Sequence, residues 1–134
     1  MKNRSIVSAL VLLVLLLSSI SFGNPFPAKK AALKRDLIVT NLLNGINSNN
    51  EGLKYSSAYF LGDLKSKESV IPLLRILHND KNDEARIMAA LSLSKIKDAR
   101  GIFAVKQAIK FDKSDRVKKM CAIFYQDYLS KNNF

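Results

Sequence analysis

Apolar and polar positions alternate along this chain with a helical period, and the same pattern returns every 32 residues. Ala85, Ala89, Leu93 and Ile96 recur at steps of four, four and three, which places them on one helical face. Val70, Leu73, Leu74 and Leu77 make a second stripe just before it. Sliding the sequence by 32 residues aligns Leu53, Ala85 and Val117, then Lys54, Arg86 and Lys118, then Ser57, Ala89 and Cys121. Ala58, Ala90 and Ala122 follow, then Leu61, Leu93 and Tyr125, then Leu64, Ile96 and Tyr128. The polar joints repeat as well, with Ser48, Asp80 and Asp112 in one column and Glu51, Asp83 and Asp115 three residues later. Upstream, Val70, Ile71, Leu73 and Leu77 match Ile102, Phe103, Val105 and Ile109. No stretch alternates strictly enough to predict a strand.

The spacing predicts six helices, near 29–46, 51–64, 69–78, 83–96, 99–111 and 115–129, in three units of about 29–64, 65–96 and 97–129. Pro72 falls in a first helical turn, where its missing N–H costs little. Ser48 with Glu51 reads as a capping box, and Asp80 and Asp112 are expected to cap the helices that follow. The first helix is the least regular, because Ile46 matches Leu77 only after a one-residue gap. A degenerate terminal unit is expected of a cap.

These residues carry a family resemblance. Leu61-Gly62-Asp63-Leu64 with Ser69-Val70-Ile71-Pro72-Leu73-Leu74, and Asn79-Asp80 leading to Asp83-Glu84-Ala85-Arg86 and Ala89-Ala90-Leu91, resemble short HEAT-like repeats of the phycobilisome-lyase type. The resemblance covers about residues 50–129 and, more weakly, 29–49. It implies an all-α fold: a short α-solenoid of about three stacked helix hairpins, with the second helices on the concave side. It implies a binding surface and not lyase activity. Lys95-Ile96-Lys97, where a Gly often stands, and Tyr125 and Tyr128, where Leu and Ile are usual, depart from the pattern. Physically, one 32-residue hairpin cannot bury both faces of its stripes, so neighbouring copies must do it.

The N-terminus reads differently. Lys2 and Arg4 precede an apolar stretch from Ile6 to Ile20, followed by Ser21-Phe22-Gly23 and Asn24-Pro25. Charged, apolar and small residues in that order predict a secretory signal peptide, 1–23, cut after Gly23. An uncleaved anchor is the alternative, opposed by Lys29, Lys30, Lys34 and Arg35 just downstream. The repeat domain is then 24–134, and the expected destination is periplasmic or secreted.

Composition narrows the chemistry. The 134 residues hold 22 Lys+Arg against 11 Asp+Glu, one Cys, one His and no Trp. One Cys excludes an internal disulfide framework, and one His with one Cys excludes the common zinc motifs. Without Lys2 and Arg4 the net charge is +9. That excess suits a protein partner or an anionic envelope surface of lipid or polysaccharide, but no aromatic-interleaved nucleic-acid motif accompanies it. Asp80-Lys81-Asn82-Asp83-Glu84 lacks the turn Gly and distant Glu of a calcium loop. No nucleophile elbow or phosphate-cradling loop is present, so the expectation is a non-catalytic protein without cofactor or metal.

Two sets of side chains remain as candidates. Lys54, Arg86 and Lys118 are expected to pair with Glu51, Asp83 and Asp115, three residues away, or with the same acids of neighbouring units. Tyr55 and Tyr59, Ile87 and Leu91, and Lys119 and Ile123 occupy equivalent positions away from the Ala58/Ala90/Ala122 side, where a surface helix is ordinarily polar. They form the candidate peptide-binding column; coverage by neighbouring helices is the competing reading. Cys121 is expected in a small buried slot, and His78 at a helix C-terminus.

Overall fold

Helices form where the 3.6-residue stripes run and stop where the joints carry Asn, Asp and Ser. The structure is a computed structural model that describes residues 26–132; the predicted signal peptide lies outside the described residues. Six α-helices follow in order: α1 (Phe26–Gly45), α2 (Glu51–Asp63), α3 (Val70–Asn79), α4 (Asp83–Ile96), α5 (Ala99–Phe111) and α6 (Asp115–Ser130). A 3-10 turn at Lys67–Ser69 leads into α3. Met1–Leu33 and Lys34–Phe134 group as separate units, and the second holds the packed solenoid.

Within Lys34–Phe134 each helix pair is a hairpin, and the second helices α2, α4 and α6 lie side by side with α4 in the middle. α3 packs on α4 and α5 on α6, whereas α3 and α5 touch each other far less. The tight layer is built from small side chains. Ser57, Ala89 and Cys121, one column of the repeat, are all buried. Ser92 Oγ donates to Ala58 O at 2.7 Å across α2 and α4. A Cβ on Gly62 would sit 2.8 Å from Ser92 Cα, so only glycine permits that approach. Leu61, Leu73, Leu93, Val70, Val105 and Val117 fill the space between layers. In α1, Val39 and Ile46 join this core, which places the repeat of the first hairpin one residue out of register with the others.

The joints differ from expectation in detail. Asn50, not Ser48, caps α2 by accepting from Leu53 N–H at 3.0 Å, while Ser48 Oγ accepts from Asn50 N–H. Asn82 caps α4 by accepting from Glu84 N–H. Asp80 and Asp112 accept from the amides of Asn82 and Ser114, just outside the helices, and so brace the loops instead of capping. Lys65 and Lys97, 32 residues apart, both take left-handed backbone at φ 49° and 62° where the second helices end. Ser66 N–H bonds Leu61 O and Lys97 N–H bonds Leu93 O, closing the helix ends that glycine commonly closes.

Candidate binding groove

The six candidate residues do not share one surface. Ile87 is 7% exposed and belongs to the core, because α4 is flanked by both α2 and α6. It drops out of the binding column. Tyr55 is half-buried, and its hydroxyl is buried without a hydrogen-bond partner. Burial, followed by the nearby carboxylates Glu51, Asp80 and Glu84, pushes its pKa up, so it stays a neutral phenol. Lys119 is exposed but lines no hollow with the others. Tyr59, Leu91 and Ile123 remain reachable, with Tyr59 38% and Ile123 50% exposed.

Leu91 and Ile123 meet in a hollow of about 620 Å³ that lies toward the C-terminal ends of the second helices. Phe124 and Tyr128 of α6 complete its apolar lining, and Lys65, Lys95, Lys97 and Lys131 stand around it with Asp63 and Asp127. Lys95 bonds Asp63 at 2.7 Å and lies 3.9 Å from the centre of the Tyr59 ring. Burial works against the Lys95 ammonium, but Asp63 and Tyr59 outweigh it and raise its pKa. Asp63, Lys95 and Asp127 are the same repeat position. Lys131 pairs with Asp127 at 2.8 Å, and Lys97 donates to Asn132 Oδ1. Lys65 and Lys97 carry no carboxylate partner among the described residues. The sequence reading placed the column one turn too near the helix starts. Tyr128, sharing a column with the buried Ile96, was the signal that the last unit opens here.

The second helices are held in line by ion pairs that reach from one unit to the next. Arg86, 1% exposed, has all five N–H groups satisfied. Nε and Nη2 bond the two Asp112 oxygens at 2.9 and 3.0 Å, Nη2 also bonds Asp83 at 2.8 Å, and Nη1 bonds the carbonyls of Asp80 and Lys81. Lys54 reaches Asp80 at 2.9 Å across the same 26-residue span. Lys118 has only Asp115, at 3.1 Å. The expected pairing three residues back therefore holds for Arg86 and Lys118, but Lys54 bonds Asp80 where Glu51 was expected. The aligned Asp80 and Asp112 were the overlooked signal.

These contacts set the titration of the clasp. Hydrogen bonding to Asp112 keeps Arg86 protonated against the effect of burial. Burial raises Asp80, yet the Asn82 amide, Lys54 and Arg86 together hold its carboxyl below the ordinary range. Ser114, then Arg86, lowers Asp83. Cys121 is buried, and burial followed by the Asp112 charge pushes its thiol up to about 12, away from nucleophilic use. His78 sits exposed in the last turn of α3. Among the described residues no cluster of three or more His, Cys, Asp or Glu is placed to hold a metal, and no helix is long and apolar enough to cross a membrane.

The geometry is thus a stack of clasped hairpins presenting a groove with an apolar floor and a cationic rim. No curated protein matches the chain. A family model described as HEAT repeats matches residues 39–123, from the core residue Val39 to the groove residue Ile123. HEAT repeats generally mediate protein–protein interaction and are typically non-catalytic. On that match, which spans well over half of the sequence, the chain belongs to the HEAT-repeat family.

Proposed function

We propose that this protein is an exported, non-catalytic binding module that takes an extended peptide segment of a partner protein in the groove between α4 and α6. The observation that carries the reading is the lip of the groove. Lys65 and Lys97 stand there in left-handed backbone, where glycine would cost less, and neither has a carboxylate partner among the described residues. Strain kept at two equivalent positions fits cations held for a ligand. The floor of Leu91, Ile123, Phe124 and Tyr128 suits an apolar anchor, and the rim suits acidic flanks. Export rests on the order of charged, apolar and small residues before Asn24.

Selection from a displayed random-peptide library against the full chain tests the groove. Peptides with an apolar anchor and acidic flanks are expected, and Ile123→Asp with Leu91→Gln should weaken them roughly 30-fold or more. Phe103→Ser, on another face, should leave them bound. Peptides indifferent to the groove variants would overturn the site. Export is tested separately, by the N-terminal residue of the protein recovered from fractionated cells, expected to be Asn24.

A further inference from the structure

The first helices carry a second surface with different chemistry. α2, α4 and α6 together hold six Lys/Arg and six Asp/Glu, a balanced set. α3 and α5 hold Arg75, Arg100, Lys106 and Lys110 and not one acidic residue. Nearby acids are engaged elsewhere. Asp98 is bound by both Arg100 Nε and Nη2, Asp112 faces inward onto Arg86, and Glu68 accepts from Ser66 Oγ. On α5, Phe103, Lys106 and Lys110 follow at steps of three and four, so they share one stripe of the helix.

That cationic face also exposes large apolar groups. Ile71, Phe103 and Phe111 are 58%, 62% and 77% exposed, and Ile71 and Phe103 are the same position of successive repeats. An open hollow of about 510 Å³ between α3 and α5 is lined by Leu74, Phe103 and Ala104, with His78 and Arg100 beside them. We propose that the outer face of α3 and α5 docks on an anionic lipid surface, its lysines and arginines on the headgroups and Phe103, Phe111 and Ile71 dipped among the upper acyl chains. A polysaccharide or other soluble polyanion would use the cations alone and leave the phenyl rings in water; a charged bilayer satisfies both. The surface is independent of the groove, which the tight helix layer forms.

The chain has no Trp, so Phe103→Trp supplies a single local reporter, and Ile123→Trp supplies the same reporter in the groove. Both retain the N-terminal apolar stretch, so a difference between them belongs to the face. On vesicles of phosphatidylcholine with phosphatidylglycerol, emission of the Phe103→Trp protein should move to shorter wavelength and be quenched by lipids brominated in the chains. The Ile123→Trp protein should do neither. Adding Lys106→Gln and Lys110→Gln should lower the partition coefficient roughly 30-fold, about one decade or less for each charge. Circular dichroism checks that these exposed substitutions leave the helices intact. No shift on anionic vesicles, an equal shift on pure phosphatidylcholine, an equal shift at both reporter positions, or a response to heparin without one to vesicles would each overturn the proposal.

Discussion

Removing Arg86 should be the most damaging single change in the polar part of the structure. The side chain is 2% exposed and its main partner, Asp112, 7%. Arg86→Met fills a similar volume but leaves the Asp112 carboxylate buried with the Ser114 amide as its remaining donor at 2.8 Å. It also strips the carbonyls of Asp80 and Lys81 of their partner. Breaking a buried pair from one side costs about 3–5 kcal/mol. For a domain of this size that corresponds to a fall in Tm of roughly 12–25 °C. Arg86→Met combined with Asp112→Asn removes both charges while the Asn oxygen still accepts from Ser114. The double variant should therefore lose less than the two single losses added, by about 2–3 kcal/mol. Arg86→Lys should be intermediate, because an ammonium cannot reproduce the two parallel bonds to Asp112. Urea unfolding followed by circular dichroism measures all four proteins. A loss below about 1 kcal/mol for Arg86→Met, or strict additivity in the double variant, would refute the clasp as the junction between the second and third hairpins.

Gly62→Ala should destabilise by about 1–3 kcal/mol despite the better helix propensity of alanine, because the new methyl meets the Ser92 backbone and one helix must move; urea unfolding measures the change. Lys97→Gly should stabilise by about 0.5–1 kcal/mol by relieving the left-handed backbone, and should weaken any acidic groove ligand in the same preparation. Cys121 should resist iodoacetamide at neutral pH until urea unfolds the chain. Because its pKa is raised to about 12, the folded state keeps a proton that the unfolded chain releases above about 8.5, so Cys121 contributes a loss of stability as pH rises through that window. Alkylation at the folded-state rate of an ordinary thiol would contradict its burial.

The helices were legible because their signal is periodic and repeated. The predicted ends of the five helices after α1 fall within one residue of those observed, α1 starts three residues earlier, and the column Ser57, Ala89, Cys121 is buried throughout. The groove was less legible for a topological reason. Tyr55, Ile87 and Lys119 are equivalent in sequence, but α4 has a second helix on each side while α2 and α6 flank it, so Ile87 is buried and Lys119 exposed. Periodicity within one helix carries no information about how many neighbours that helix has. The ion pairs were misread by distance along the chain. Three residues is the nearest spacing for Lys54 and Glu51, yet stacking brings Asp80, 26 residues away, to the ammonium. The capping Asn50 and Asn82 were missed because the aligned Ser and Asp two positions earlier resembled caps, and these instead hold the amides that lead into the helix.

The clasps point one way along the chain. Lys54 and Arg86 each reach forward to the loop that begins the next second helix. A hairpin thus presents the docking point for its successor before that successor is made, and synthesis from the N-terminus meets each attachment already in place. The same polarity gives a rule for grafting: a hairpin inserted between two others must bring its own cation and find an aspartate in the loop behind it.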